Sequence, residues 1–293
     1  MLKKEGYCVI RKYIVIGLIL IFFVTNIQAV ISSDESIITT NSNKTLFVDD
    51  DGTAEYKKIQ DAIDNSSDGD TVFVYSGTYN ENIIVNKSID LKGENKHSAV
   101  INPKVKTAVN IKVDNVSISD FKIILKNPLE VNIDVKSDNT NISNNIIEGV
   151  IFLLSSNNNT ISDNQIKNGG ISLFDSSFNN ITRNVVSNFR YKGINIDQYS
   201  YYNIVSYNTI KFCTIGINLY NMNNEIYCNN FFFNVLHGRI WYRDGNSGSW
   251  YNNYWGRSRF IPKIIFGFGL VDHGSPYCFD FDIHPAKLPN KTG

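Results

Sequence analysis

The sequence predicts an all-β solenoid with coils of about 22 residues, and three observations carry that prediction. The phrase Gly-Ile-x-Leu recurs as Gly170-Ile171-Ser172-Leu173, Gly193-Ile194-Asn195-Ile196 and Gly216-Ile217-Asn218-Leu219. Blunter copies begin at Gly149 and Gly238, so that successive glycines stand 21, 23, 23 and 22 residues apart. A second phrase, Ile-x-x-Asn-x-Ile, runs out of phase with the first and sets Asn145, Asn164, Asn184, Asn208 and Asn229 at a similar spacing. Third, Ile, Leu and Val alternate with Ser, Asn, Thr and Asp, the period of strands rather than helices.

The elements follow in chain order. Lys3, Lys4, Arg11 and Lys12 precede an apolar run from Tyr13 to Val24, and Ala29 closes the segment. A basic start, a short apolar centre and a small final residue predict a secretory signal over residues 1–29, with an uncleaved membrane anchor as the alternative. The body of the chain is therefore expected outside the cytoplasm, at the cell surface, touching a membrane only through this segment. Residues 30–45 are rich in Ser, Thr and Asn and read as a flexible spacer. Order begins at Leu46-Phe47-Val48, followed by a turn over Asp49–Gly52. Three acids before a glycine suggest a calcium loop, but the alternating ligand spacing of such loops is absent, so no cofactor is assigned. Thr53 is placed to cap a helix through Asn65, with Tyr56, Ile59, Ala62 and Ile63 on the face that covers the first coil. The coils fill residues 46–245, and residues 246–293, with scattered Trp, Gly and Pro, read as an irregular C-terminal cap.

Equivalent positions of neighbouring coils lie about 4.8 Å apart, the strand-pairing distance. The five asparagines should therefore stack amide on amide at a tight bend that Asn tolerates, a structural ladder needing no ligand. The same alignment sets Asp163 against Arg183 and Glu148 against Lys167, pairs worth at most ~1 kcal/mol on a solvated face.

Composition narrows function only partly. Lys plus Arg equals Asp plus Glu at 28 each, which gives no net field for nucleic acid. Cys213, Cys228 and Cys278 follow Cys8 of the leader, an odd remainder without disulfide or zinc spacing, and read as small buried residues. Asn-x-Ser/Thr acceptors occur at Asn43, Asn65, Asn86, Asn115, Asn141, Asn158, Asn180 and Asn290, many of them expected by chance in a chain this rich in Asn.

A family likeness runs through Phe47-Val-Asp-Asp-Asp-Gly52, Ile59-Gln-Asp-Ala-Ile63, Asp68-Gly-Asp-Thr-Val-Phe-Val-Tyr75, Gly77-Thr-Tyr79 and Leu91-Lys-Gly93. These phrases resemble the N-terminus of the pectate-lyase-like right-handed parallel β-helix superfamily. With the Asn-rich repeats, the chain looks most like the NosD-type β-helix repeat proteins of prokaryotic surfaces and periplasms. The resemblance covers about residues 46–245 and implies a right-handed parallel β-helix. It implies no single activity, since the superfamily holds lyases, hydrolases, epimerases, glycan-binding proteins and a copper-enzyme accessory protein.

Chemistry must then be sought in the residues. Asp134, Asp175, Asp197 and Asp244 follow the glycine phrases, yet no carboxylate pair falls in phase on adjacent coils as a glycosidase would need. The copper reading implied by the NosD likeness wants Cys, Met and His together, and the body of the chain has only Met222 with His97, His237, His273 and His284. Asp280, Asp282 and His284 alternate along one strand and are the nearest approach to a metal set, although a half-buried strand with a polar side is the ordinary reading. Glycan contact is favoured by aromatic residues near the turns, Phe178, Phe189, Tyr191, Tyr199, Tyr201 and Tyr202, with Asp175 and Asp197 beside them. A later set, Trp241, Tyr242, Trp250, Tyr251, Tyr254 and Trp255, reads first as a plug for the last coil. The expectation is a non-catalytic surface protein that binds or organises polysaccharide. The alternatives are a polysaccharide lyase, hydrolase or epimerase using Asp175, Asp197, Arg190 or Lys192, and a NosD-like metal accessory protein.

Overall fold

The computed structural model describes residues 43–124, 130–221, 223–242, 249–258, 261–269 and 277–291. The leader, most of the spacer, Met222, Asp244 and His273 lie outside the described residues.

The chain winds through three sheets in a repeating order. Sheet 1 has ten parallel strands from Thr45–Val48 to Ser249–Tyr251, and sheet 2 has eight from Gly77–Tyr79 to Asn230–Phe232. Sheet 3 has ten strands from Ile83–Val85 to Tyr277–Asp282. Eight successive coils, from Thr71–Val74 to Leu236–Tyr242, each contribute one strand to each sheet, which is a right-handed parallel β-helix. Its core is made of stacked columns: Ile142, Ile161, Ile181, Val205 and Ile226 pair in sheet 1, and Ile147, Ile166, Val186, Ile210 and Phe231 in sheet 2. All ten are buried, and each contributes roughly 1.5–3 kcal/mol by leaving water.

The asparagine ladder forms as expected and extends further. Each Nδ2 donates to the Oδ1 of the next rung, at 3.1 Å from Asn145 to Asn164, 3.0 Å to Asn184, 3.1 Å to Asn208 and 3.0 Å to Asn229. Asn229 then donates to Asn253 at 3.1 Å, and Asn253 to the Asp282 carboxylate at 3.1 Å. Every Oδ1 also accepts the backbone N–H of the previous rung, so buried main-chain groups are satisfied along the whole seam. One detail differs from expectation. The rungs are not the residues in the left-handed conformation; the residue before each rung is, at Asn144, Asp163, Arg183, Tyr207, Cys228 and Asn252. Asn is used at the rung because a planar amide both donates and accepts along the stack.

Asp163 and Arg183 meet as a two-pronged ion pair, with both nitrogens 2.8 Å from the carboxylate. Glu148 and Lys167 are register partners on adjacent coils.

The glycine phrases align less simply than their spacing implied. Ile171, Ile194 and Ile217 are true register partners, but Ile151 precedes Ile171 by 20 residues and Ile217 pairs with Gly238 itself. The first and last glycines are therefore one position out of step with the middle three. Those three are required by close approach: a Cβ on Gly170 would lie 2.4 Å from the Gly193 carbonyl oxygen.

The helix is shorter than expected, Ile59–Asp64, with Lys58 at its N-cap. Thr53 instead hydrogen-bonds Asp49 within the turn, and Tyr56 is tied to the strand as Asp49 N–H donates to its carbonyl at 2.9 Å. The first helical N–H groups find Glu81 on the next coil, at 2.9 and 3.1 Å. Ile59, Ala62 and Ile63 are buried and close the open end of the core. Among the described residues no helix is long and apolar enough to cross a membrane.

At the other end the winding outlasts its sequence signature. Ser249–Tyr251 joins sheet 1 and Lys263–Gly269 joins sheet 3, both parallel; Tyr277–Asp282 then folds back antiparallel.

Candidate functional site

Each coil turns at three bends, and the bends carry the side chains that face outward with chemistry. Between sheets 3 and 1 the chain uses a second polar ladder that the sequence reading overlooked. Asn159, Asn179, Asn203 and Asn224 donate rung to rung at 2.9, 3.0 and 2.9 Å. The hydroxyls of Ser156, Ser176 and Ser200 accept backbone N–H groups beside it, at 3.0–3.2 Å. The repeat Ser-x-x-Asn at this phase was the available signal.

The outward residues at the same bend change along the solenoid. Asn115, Asn139 and Asn158 hold the left-handed conformation in the upstream coils; Phe178 and Tyr202 hold it downstream, with φ of 60° and 56°. Their rings stack at 5.2 Å and are more than half exposed, at 58% and 59%. The bend between sheets 2 and 3 repeats the substitution: Asn168 and Asn188 give way to Phe212 and Phe233, stacked at 5.3 Å and 9°. Left-handed φ costs a bulky L-residue about 1–2 kcal/mol, where Asn adopts it readily.

The candidate residues only partly converge. Tyr199, Tyr201, Tyr202, Asp175 and Asp197 share the bend between sheets 3 and 1. Asp197 Oδ1 accepts Asp175 N–H at 3.2 Å, Tyr199 N–H at 3.1 Å and the Ser200 hydroxyl at 2.6 Å, so it holds the turn together. Asp175 accepts the Ser155 hydroxyl at 3.1 Å. Tyr191 stands apart against Phe189, because strand Lys192–Ile196 separates it from Tyr199 by roughly 16 Å at 3.3 Å per residue. Arg190 and Lys192 lie at that same far end, away from Asp175 and Asp197. Asp134 pairs with Lys136 at 2.7 Å.

The later aromatic set divides. Trp250 and Trp255 are buried and plug the last coil, whereas Tyr251 stays 37% exposed in a stack with Tyr227 at 4.8 Å. Beside the plug opens a groove of about 680 Å³ lined in part by Phe233, Leu236, Arg239, Trp255, Arg257 and Phe266. The Arg239 guanidinium sits 4.9 Å over the Trp241 ring and donates to Asn218 at 2.7 Å.

The alternating acids do not form a three-ligand set. Asp280 and Asp282 are buried, but the strand ends at Asp282 and His284 turns outward to solvent. Asp282 accepts Asn253 N–H at 2.9 Å and the Trp255 indole N–H at 3.0 Å in addition to the last ladder amide. Cys213 and Cys228 are free and buried on different bends, with sheet 2 between them. Burial pushes the Cys213 thiol up to about 11. Among the described residues, no three His, Cys, Asp or Glu side chains are placed to share a metal ion.

Burial, with the nearby Asp282 charge adding to it, pushes the Asp280 carboxyl up to about 6. A folded-state value above the unfolded one means that the protonated form fits the fold, so stability falls as pH rises from about 4 to about 6. Asp280→Asn should therefore stabilise the chain at pH 7.5 by about 2–3 kcal/mol and change little at pH 4. Melting curves at the two pH values check this, and equal effects at both would reject it.

Residues 63–267 match the family model described as periplasmic copper-binding protein (NosD). A cell surface glycoprotein of Methanothermus fervidus is 47% identical over 73 residues, which span 24% of this chain and 12% of that protein. Among solved structures, an alginate lyase from Paenibacillus sp. str. FPU-7 matches 84% of this chain and 98% of its own with a TM-score of 0.55. At 12% identity that likeness is one of fold. With the family match extending over 205 of the 293 residues, the chain belongs to the NosD family.

Proposed function

We propose that this chain is a cell-surface β-helix protein that binds polysaccharide along the aromatic bends of its downstream coils. One observation carries the reading: Phe178, Tyr202, Phe212 and Phe233 occupy left-handed positions that upstream coils fill with Asn. These substitutions hold bulky side chains in a strained backbone conformation, and such strain concentrates where function requires it. Stacked, exposed rings a coil apart offer flat faces to a chain-like ligand. Tyr199, Tyr201, Asp175 and Asp197 frame the Phe178–Tyr202 pair, with Tyr191 at a second edge. The leader over residues 1–29 and the likeness to a cell surface glycoprotein support the location.

Binding rather than turnover is favoured because Asp197 spends its Oδ1 on the turn, and the Lys192 ammonium is engaged 5.3 Å over the Tyr220 ring. The copper-binding description of the family is not carried over: the thiols are separated by a sheet, and the described histidines do not join them in a donor set.

The test is a glycan array run beside reducing-sugar and unsaturated-uronate assays on the same polysaccharides. Binding without product release supports the proposal, and product release replaces it with the enzyme reading. The double variant Phe178→Asn, Tyr202→Asn should bind at least tenfold more weakly yet melt higher, gaining about 1 kcal/mol per relieved residue. Unchanged binding would remove the site from this bend.

A further inference from the structure

Most of the acceptor sequons, scattered in sequence, fall along one edge of the fold. Asn43, Asn65 and Asn86 precede strands Thr45–Val48, Thr71–Val74 and Asp90–Gly93; Asn115 precedes Ser117–Ser119. Asn141 opens the next strand, Asn158 precedes Thr160–Ser162, and Asn180 opens Asn180–Thr182. All seven strands are successive members of sheet 1, and six of the sequons lie at the bend into it; Asn65 instead caps the end of the helix, six residues before Thr71, with its Nδ2 donating to the Asp61 carbonyl at 2.8 Å. Each of these seven asparagines is exposed.

The fold does not demand this. The next three coils enter sheet 1 at Ile204, Glu225 and Ser249 with no sequon and pair in the same register. At the bend between sheets 1 and 2 the ladder asparagines are buried, and the residue two places on is a core residue such as Ile147 or Ile166. That edge is closed to the motif and this one is open.

The spacing also suits bulky groups. Asn141 pairs with Ser117 and Thr160, and Thr160 with Asn180, whereas Asn115 and Asn158 stand two residues before their register positions. Among these four, sequons of equal phase are thus two coils, or about 9.6 Å, apart, instead of stacked at 4.8 Å. Asn290 is the outlier: it is half-buried, off this edge, and its Nδ2 donates to the Asn252 carbonyl at 3.0 Å.

We propose that this edge is an array of N-glycosylation sites, modified from a saccharide donor linked to lipid through phosphate or pyrophosphate. In each transfer the Asn Nδ2 bonds to the anomeric carbon and the bond from that carbon to the phosphate oxygen breaks. The lipid phosphate leaves with the bonding pair, and the Nδ2 proton passes to the transferase base. The resulting fence of sugar spans the first seven coils and ends where the aromatic bends begin, at Phe178.

The full chain, leader included, would be produced in a host that N-glycosylates a control secreted protein and in one that does not, then read by intact mass and glycopeptide mapping. Glycan on the edge asparagines and none on Asn290 is the expected result. Asn141→Gln and Asn180→Gln should each remove one glycan mass without altering circular dichroism, since neither side chain belongs to a ladder. A bare edge in the glycosylating host, or masses unchanged in both variants, would overturn the proposal.

Discussion

Asn184→Ala should cost the chain about 4–6 kcal/mol and leave it unfolded or nearly so at moderate temperature. Asn184 Oδ1 accepts Asn164 N–H at 3.1 Å and Asn164 Nδ2 at 3.0 Å, while its own Nδ2 reaches the Ile161 carbonyl at 2.8 Å and Asn208 Oδ1 at 3.1 Å. All of these groups are buried, and water cannot replace the missing amide without opening the seam. Each stranded donor or acceptor costs ~1–3 kcal/mol. Asn184→Asp should be no better, because a buried carboxylate keeps the acceptor but turns an anion toward three carbonyl-type oxygens, of Ile161, Thr182 and Asn208. Asn141→Ala, on an exposed strand end, is the control and should stay within about 0.5 kcal/mol of the parent. Urea midpoints for the three variants decide the matter. A ladder variant as stable as the control would mean that the amide stack is not what joins the coils.

Gly216→Ala should be nearly as damaging, for a different reason. The new methyl would lie 2.3 Å from the His237 carbonyl oxygen and 3.0 Å from Phe231 Cδ1, so the backbone of the next coil must move. Overpacking of this kind costs about 1–3 kcal/mol when only side chains yield, and here a main-chain oxygen stands in the way. At Gly238, one position out of step, the nearest atoms are side-chain carbons at 3.2–3.4 Å, and the same substitution should be milder. A ranking in which Gly238→Ala is worse than Gly216→Ala would contradict the register described above.

The parts of this structure that could be read in advance are those where one phrase does the same job in every coil. The ladder from Asn145 to Asn229 was legible because the flanking Ile residues fix its phase, and the Asp163–Arg183 pair followed from the same alignment. The second ladder repeats as regularly, but Asn159 and Asn179 stand within runs of Asn and Ser where the rung is not told apart from its exposed neighbours. The glycine register slipped by a residue at each end because loops of unequal length separate the coils, and spacing between glycines averages over them. The helix began five residues later than Thr53 implied, since Glu81 from another coil caps it and no local residue marks the start. The strained aromatic bends were invisible: nothing in the identity of Phe178 or Tyr202 announces a positive φ, and their propensities argue against it. Tyr191 was grouped with Tyr199 by nearness in sequence, which a strand crossing the face of the coil undoes.

The direction of the long ladder has one more consequence. Every rung passes a hydrogen toward the C-terminal end, so each new coil must present an oxygen to the coil before it and a hydrogen to the coil after it. Asp282 meets the first requirement and fails the second, for a carboxylate takes hydrogens and has none to hand on. One more asparagine at that place would need a further buried acceptor for its own amide hydrogens; the acid, which only accepts, ends the donor chain with no hydrogen stranded.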